Sequence, residues 1–141
     1  MKVSESPLKQ YIKNIIPLDQ GPVYIFDKFI ITEFNKGTTV DEDCFLNLFL
    51  ILDSCSVEKK PFGFISNRVN SYAVDARAYE KVAKYAKRFY TSAFVVYSKR
   101  MSIATSFEEY IYNTKLSVFS ELNEAVQWMY SKFSEENQES A

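Results

Sequence analysis

Residues 63–75 read GFISNRVNSYAVD, and the change of character along this stretch decides the fold that the sequence predicts. The run from Phe62 to Ser66 is short, apolar and bounded by polar residues, which is typical of a central strand. A helical pattern begins near Asp75, a residue type that caps helix N-termini well. The stretch therefore predicts a strand, a polar loop and a helix in succession, as in α/β proteins.

The segment after Asp75 has the clearest helical pattern in the chain. Val74 is placed to pack against Tyr79 as a hydrophobic staple, and apolar residues continue at helical spacing to about Phe89. The other side of this predicted helix carries a basic group made of Lys81, Lys84, Lys87 and Arg88. Basic residues at this spacing are more typical of a solvated helix face than of a nucleic-acid surface.

Upstream of the opening stretch, residues 23–35 (VYIFDKFIITEFN) predict a β-hairpin. They are rich in β-branched and aromatic residues with a two-residue polar break, so we predict strands at about 22–26 and 29–35. The first ten residues are polar and carry no assignment. The short apolar cluster that follows them predicts a short strand or a turn of helix, which Pro17 is expected to end.

Between the hairpin and the opening stretch, Asp41 is placed to cap a helix that runs to about Cys55. Glu42 and Asp43 then lie in the first turn, where carboxylates interact favourably with the helix dipole. The apolar residues at 45–52 are dense, and a buried strand remains an alternative there.

Downstream of the opening stretch, the pattern continues to alternate between strands and helices. Residues 92–98 (SAFVVYS) predict a buried strand, and a helical segment follows at about 102–113. Within that segment Ser106 and Glu109 have the spacing of a capping box, which predicts that the regular helix begins late.

The last elements are a short strand at 116–119, a helix capped by Ser120 and a tail at 135–141 that is predicted to be disordered. The whole order predicts one α/β domain over residues 1–141, with its core at about 20–134. Its sheet is expected to be mixed: it begins with the hairpin, its later strands are parallel, and about four helices cover it.

Composition limits the classes of function. Seventeen basic and eighteen acidic side chains give a net charge of −1, so we expect neither a nucleic-acid nor a membrane partner. The chain has no His and only 3 Gly, which leads us to predict no catalysis, no metal and no cofactor. The N-terminus lacks the apolar region of a signal peptide, which predicts a cytoplasmic location. The expected partner is another protein, or a second copy that pairs with an edge of the hairpin to form a homodimer.

The polar part of the opening stretch is the candidate site, because α/β sheets place sites outside the carboxyl ends of their strands. The candidates for ligand or partner contact are Asn67, Arg68, Asn70 and Tyr72, and those for phosphorylation or partner contact are Ser71 and Ser66. One alternative is a plain turn in which these side chains bond to the local backbone while Arg68 lies in solvent.

The stretches KPFGFISNRVNSYAVD, SAFVVYSKR and LSVFSELNEAVQWM resemble the small STAS/SEC14-type, sporulation anti-anti-sigma-like (SpoIIAA-like) proteins of bacteria. The resemblance extends from about residue 20 to residue 134 and implies a STAS-like α/β fold. It also implies a kinase partner and a switch by phosphorylation of a Ser that begins the helix after a central strand. By position that Ser is Ser71, with Ser66 second, although Asn70-Ser71-Tyr72-Ala73 stands in place of the Asp-Ser-Ser-Gly type motif.

These observations predict a non-enzymatic regulatory or protein-interaction module, switched at Ser71 if the resemblance extends to function. The alternative function is a small anionic-ligand-binding domain. In it, Arg68 and the N–H groups at the start of the following helix would hold a carboxylate or a phosphate.

Overall fold

The computed structural model describes residues 1–55, 62–75, 77–78, 91–112 and 117–140. The predicted helix after Asp75 lies almost entirely outside the described residues. At its start, the Asp75 carboxylate accepts a hydrogen bond from the Arg77 N–H at 2.9 Å, and the Asp75 carbonyl accepts one from the Ala78 N–H at 2.9 Å. Both bonds are those of a residue that caps a helix N-terminus.

The described strands form one six-stranded mixed sheet and one short parallel pair. The order in the large sheet is β1 (Asn14–Leu18), β2 (Gly21–Ile25), β3 (Phe29–Thr32), β5 (Gly63–Arg68), β7 (Thr91–Val96) and β8 (Ser117–Phe119). The first three strands are antiparallel neighbours, whereas β3, β5, β7 and β8 run parallel. The short pair joins β4 (Thr39–Val40) to β6 (Ala73–Val74). The predicted mixed sheet, with a hairpin before parallel strands, is confirmed.

Among the described residues there are three α-helices: α1 (Glu42–Cys55), α2 (Lys99–Tyr112) and α3 (Leu122–Ser140). Two short 3-10 helices, Val3–Glu5 and Pro7–Tyr11, precede the sheet. About four helices were predicted, and the prediction after Asp75 lies on residues that are mostly outside the described ranges. The predicted α/β class is confirmed by the sheet and the three described helices.

Both faces of the sheet are buried, and alternate residues of β3 show how. Phe29 and Ile31 belong to a core cluster that includes residues of α3, whereas Ile30 belongs to a second cluster with residues of α1. A strand that is covered on both faces needs apolar residues at every position, which explains the run FIIT. The packing against α3 is close at Gly63, where an added Cβ would lie 2.5 Å from the Met129 sulfur.

Several sequence predictions about elements upstream of β5 are settled by these bounds. The hairpin is present as β2 and β3. Residues 45–52 lie inside α1 and are not a strand, and Asp41 caps that helix by accepting the Cys44 N–H at 2.9 Å. Pro17 was wrongly expected to end the structure there, because β1 continues through it to Leu18 on the sheet edge, where a missing N–H is tolerated.

The helix α2 begins earlier than predicted. Ser98 caps it by accepting the Met101 N–H at 3.2 Å, whereas Ser106 lies inside the helix and donates to the Ser102 carbonyl at 3.1 Å. The capping box that was predicted at Ser106 is therefore wrong. The helix α3 continues to Ser140, beyond residue 134, where the sequence had predicted that the ordered core ends.

The hairpin strands do not lie at an edge of the sheet. β2 lies between β1 and β3, and β3 lies between β2 and β5, so both strands are paired on both sides. A homodimer through an edge of the hairpin is therefore not available in this topology. Within the described part of the chain, the edges of the large sheet are β1 and β8.

Candidate functional site

The carboxyl ends of β3, β5 and β7 lie side by side, and polar side chains gather there on both faces of the sheet. The strand β5 is longer than predicted and includes Asn67 and Arg68, which were expected to belong to the loop after Ser66. Successive side chains of a strand point to opposite faces. Asn67 therefore shares its face with Ile65 on the α3 side, and Ser66 and Arg68 share theirs with Phe64 on the α1 side.

On the α1 side, Arg68 forms an ion pair with Glu108 of α2. Its two terminal nitrogens donate to the two carboxylate oxygens at 2.5 and 2.8 Å, which is the bidentate geometry that suits this pair of groups. The side chains are only 11% and 5% exposed. The guanidinium carbon also lies 4.9 Å from the centre of the Phe94 ring, in the range of a cation–π contact.

Ser66 and Tyr72 complete this group of side chains, which we call the Arg68 cluster (Ser66, Arg68, Tyr72 and Glu108). The Ser66 hydroxyl accepts from Arg68 Nε at 3.2 Å and shares a hydrogen bond of 3.1 Å with the Tyr72 hydroxyl. Burial raises the pKa of Tyr72, and the nearby guanidinium of Arg68 opposes that shift. The phenol is therefore neutral near neutral pH and serves as a hydrogen-bonding group.

On the α3 side, Glu33, Asn67 and Tyr97 form a second group, which we call the Glu33 cluster. The Asn67 amide donates to the Glu33 carboxylate at 2.6 Å, and the Asn67 side-chain carbonyl accepts from the Tyr97 hydroxyl at 2.6 Å. Glu33 and Asn67 are buried, whereas Tyr97 is 38% exposed. The cluster is therefore a chain of hydrogen bonds from the core to the surface.

The environment of the Glu33 cluster shifts two pKa values upward. Burial raises the pKa of the Glu33 carboxyl, although its hydrogen bonds with the Val3 N–H and the Asn67 amide, and the charge of Lys2, favour the ionised form. Burial and the neighbouring Glu33 raise the pKa of Tyr97 to about 12. An ionised Glu33 is consequently stabilised by the few donors that contact it and by the charge of Lys2.

The loop after β5 is fastened to the loop after β3. The Asn70 amide donates to the Phe34 carbonyl at 3.1 Å, and the Gly37 N–H donates to the Ser71 carbonyl at 3.0 Å. The pairing of β4 with β6 then continues this contact. Ser71 itself is exposed, in contrast to the buried Ser66. The backbone of Ser71 is thus held in place while its side chain faces solvent.

The structure brings most of the predicted site residues to one edge, but in two separate groups. Ser66, Arg68 and Tyr72 belong to the Arg68 cluster, and Asn67 belongs to the Glu33 cluster. Asn70 and Ser71 lie in the loop after β5, which is hydrogen-bonded to the loop after β3. Arg68 does not lie in solvent, as the turn interpretation expected. An anion that binds the Arg68 guanidinium would have to displace the Glu108 carboxylate.

Three partners of these residues were missed by the sequence analysis: Glu33, Tyr97 and Glu108. Glu33 had a recognisable signal, since a charged residue directly follows the fully buried run of β3. Glu108 had none, because a carboxylate in a predicted helix is ordinarily explained by solvent or the helix dipole. Tyr97 follows a buried strand and is easily taken for core.

No protein-family model matches the chain, and no curated protein does. A similar solved structure is that of an uncharacterized protein of the DUF3478 family with a SpoIIAA-like fold, from Shewanella loihica PV-4. The TM-score is 0.52 at 11% sequence identity, over 82% of this chain and 90% of that chain. The fold is SpoIIAA-like. At this identity the similarity concerns the fold alone, and it confirms the STAS-like architecture that the sequence motifs implied.

Two kinds of feature are absent from the described part of the chain. In the described ranges, no three acidic or cysteine side chains are grouped so that they could bind a metal ion. The helices of the same ranges include none that is both long enough and apolar enough to span a bilayer.

Proposed function

We propose that the protein is a non-enzymatic regulatory or protein-interaction module and that residues 71–75 form its contact surface. The observation that carries this proposal is the contrast between Ser71 and its neighbours. Ser66, Asn67 and Arg68 form hydrogen bonds with other side chains inside the fold. Ser71 and Ala73 are instead exposed, on a segment whose backbone is hydrogen-bonded to the loop after β3. A partner that approaches this edge meets the 71–75 segment first.

The same contrast favours Ser71 over Ser66 as a site of phosphorylation. A kinase needs access to the hydroxyl, and Ser66 is 2% exposed and bonded to Arg68 and Tyr72. A phosphate on Ser71 would bring nearly two negative charges to a surface whose backbone is already fixed. The charge would therefore change the contact surface without unfolding it.

The geometry gives less support to an anionic-ligand site. The guanidinium of Arg68, on which that alternative depended, has both terminal nitrogens on the Glu108 carboxylate. A ligand would have to break this buried bidentate pair before it could form its own hydrogen bonds with Arg68. We therefore keep protein contact as the proposed function.

A quantitative affinity purification from the native cell tests the proposal, with wild type, Ser71→Ala and Ser71→Asp as baits. We expect wild type and Ser71→Ala to capture the same partner and Ser71→Asp to capture it about tenfold less, a difference of about 1.4 kcal/mol in binding. Ser120→Asp is the matched control, because it adds the same charge to another exposed serine that follows a parallel strand. Equal capture by all four baits would exclude a switch at Ser71.

A further inference from the structure

The Glu33 cluster is bonded to the first residues of the chain. The Glu33 carboxylate accepts the Val3 N–H at 2.8 Å, and the Asn67 amide donates to the Met1 carbonyl at 2.9 Å. The Tyr97 hydroxyl lies 3.3 Å from the same carbonyl. Residues 1–6, which we call the anchor segment, thus cover the carboxyl ends of β3, β5 and β7 on the α3 side of the sheet.

The cluster contacts the anchor segment through peptide backbone rather than through polar side chains. It satisfies one carbonyl, that of Met1, and one N–H two residues later, that of Val3. A single side chain adds selectivity, since Val3 is completely buried in the core cluster on the α3 side. A carbonyl, an N–H and a small branched apolar side chain are features that many peptides can offer.

We propose that the Glu33 cluster is a peptide-binding site that the anchor segment occupies in the same chain, and that a partner peptide binds there by replacing it. The partner peptide presents the same three features: a carbonyl, an N–H two residues later, and a small branched apolar side chain on the residue that carries that N–H. This is recognition of a peptide main chain with one side-chain pocket, a common way to bind segments of other proteins.

The burial pattern of the anchor segment supports its replacement. Only Val3 and Ser6 are buried in it, while Met1, Lys2, Ser4 and Glu5 are exposed. The Ser6 hydroxyl bonds to the Val3 carbonyl at 2.8 Å, within the segment itself. The segment is therefore held by one apolar side chain and a few hydrogen bonds, and segments with few buried contacts open well below the free energy of global unfolding.

This site differs from the surface proposed for Ser71. The anchor segment lies on the α3 side of the sheet, whereas residues 71–75 include Tyr72, which packs with the core cluster on the α1 side. The inference shares with the proposed function only the expectation of a protein partner. Each can fail alone, because the proposed function is tested with Ser71 variants and the inference is tested with peptides.

A binding experiment on the full chain tests the inference. The probe is a synthetic peptide of residues 1–12 with a fluorescent label at its carboxyl end, and the readout is anisotropy. In the chain variant Val3→Asp the anchor segment can no longer bury residue 3, so we expect the probe to bind this variant at least tenfold more tightly than wild type. A probe that carries the same Val3→Asp change is the control and should not bind.

A second receptor locates the binding. In Val3→Asp/Asn67→Ala the closer of the two donors to the Met1 carbonyl is lost, and we expect at least tenfold weaker binding of the wild-type probe. Equal binding to both receptors would place the probe elsewhere and overturn the inference. The lack of binding to a Val3→Asp chain whose far-ultraviolet circular dichroism is that of wild type would also overturn it.

Hydrogen exchange on the wild-type chain covers the case in which Val3→Asp does not fold. The Val3 amide, which is bonded to Glu33, should exchange at least a hundredfold faster than amides in the middle of β5 such as that of Ile65. Equal protection of the two amides would mean that the anchor segment opens only when the whole fold does. It would then be an integral part of the fold, and the inference would be wrong.

Discussion

Glu33 is a carboxylate in a position where ionisation is costly. Its side chain is buried, and the donors that contact its carboxylate are the Val3 N–H and the Asn67 amide. A buried polar group is tolerated when it is hydrogen-bonded, but removal of one partner exposes the full cost of burial. The stability of this edge of the sheet should therefore depend on the protonation of Glu33.

The sign of that dependence follows from the raised pKa of Glu33. The folded chain binds this proton more tightly than the unfolded chain, so ionisation destabilises the fold. We expect the free energy of unfolding of wild type, relative to Glu33→Gln, to rise as the pH falls through the raised pKa and to level off below the ordinary pKa of a glutamate, about 4.3. Urea denaturation at several pH values measures the difference.

Asp27 supplies a control of opposite sign. Its hydrogen bond and charge interaction with Lys13 lower its pKa, so its stabilising contribution is present at neutral pH and is lost as the pH falls through that lowered value. Relative to Asp27→Asn, wild type should thus lose stability on acidification, by a small amount because the pair is exposed. A pH-independent difference between wild type and Glu33→Gln would contradict the assignment for Glu33.

At the residue scale, the sequence singled out residues of β5 as candidates but did not predict which side chains they contact. Asn67 and Arg68 were singled out, yet their partners Glu33 and Glu108 come from other elements. Local patterns report periodicity and caps, whereas pairing across the fold depends on register and on how helices pack. Glu108 was therefore explained by the dipole of its own helix, whereas its partner Arg68 lies on a strand that is distant in sequence.

The buried side chains that the structure describes in α2 are polar. Among its described side chains, Ser102, Ile103 and Ala104 are exposed, and the buried ones are Thr105 and Glu108. The Arg68–Glu108 pair links this described part of the helix to β5.

We expect Arg68→Met to lower the free energy of unfolding by about 3–5 kcal/mol, because it leaves the Glu108 carboxylate buried without its partner. The double variant Arg68→Met/Glu108→Leu should recover most of that loss, since both charges are then removed together. Urea denaturation of the four members of this double-mutant cycle gives the coupling energy.

The exposed pair between Lys13 and Asp27 is the matched control for that cycle. Its side chains are 60% and 71% exposed, so Lys13→Met should cost at most about 1 kcal/mol. A cost for Arg68→Met as small as this would show that Glu108 reaches water when its partner is gone. The link between α2 and the sheet would then rest on other contacts.

At the element scale, the sequence placed the strands better than the helix starts. Strands of a sheet covered on both faces stand out as apolar runs, as β3 and β7 do. The start of α2 was misplaced because capping-box spacing occurs by chance inside helices. Because the connection after β7 is short, Ser98 caps the helix instead. The length of that connection depends on the topology, which a local sequence motif does not report.

At the scale of the whole molecule, the alternation of apolar strands and helices was enough to predict an α/β fold with a mixed sheet, and the resemblance of three stretches implied its SpoIIAA-like architecture. The pattern did not predict that β1 adds to the hairpin and moves the sheet edge outward. Pro17 was the reason, since a proline ordinarily argues against a strand. On an edge strand the missing N–H does no harm, and in β1 its absence also protects the open edge from pairing.

The open side of β1 lacks the donors that strand pairing needs. Pro17 pairs with Pro22, and two residues without N–H groups cannot exchange hydrogen bonds, so the Pro17 nitrogen faces the open edge. The Ile15 N–H faces the same way and is taken by the Asn14 side-chain oxygen at 2.9 Å. Both devices protect an exposed edge from pairing with another chain.

Restoring those donors should promote self-association. In Asn14→Ala/Pro17→Val the outward N–H groups at positions 15 and 17 are free to pair with a second copy, and the exposed Ile15 adds apolar contact. We expect sedimentation velocity to show a larger, concentration-dependent species relative to wild type. Adding Ile15→Lys to this variant should reverse the effect, because like charges then face each other across the new interface. Unchanged sedimentation of the double variant at high concentration would mean that β1 is protected by something other than its missing donors.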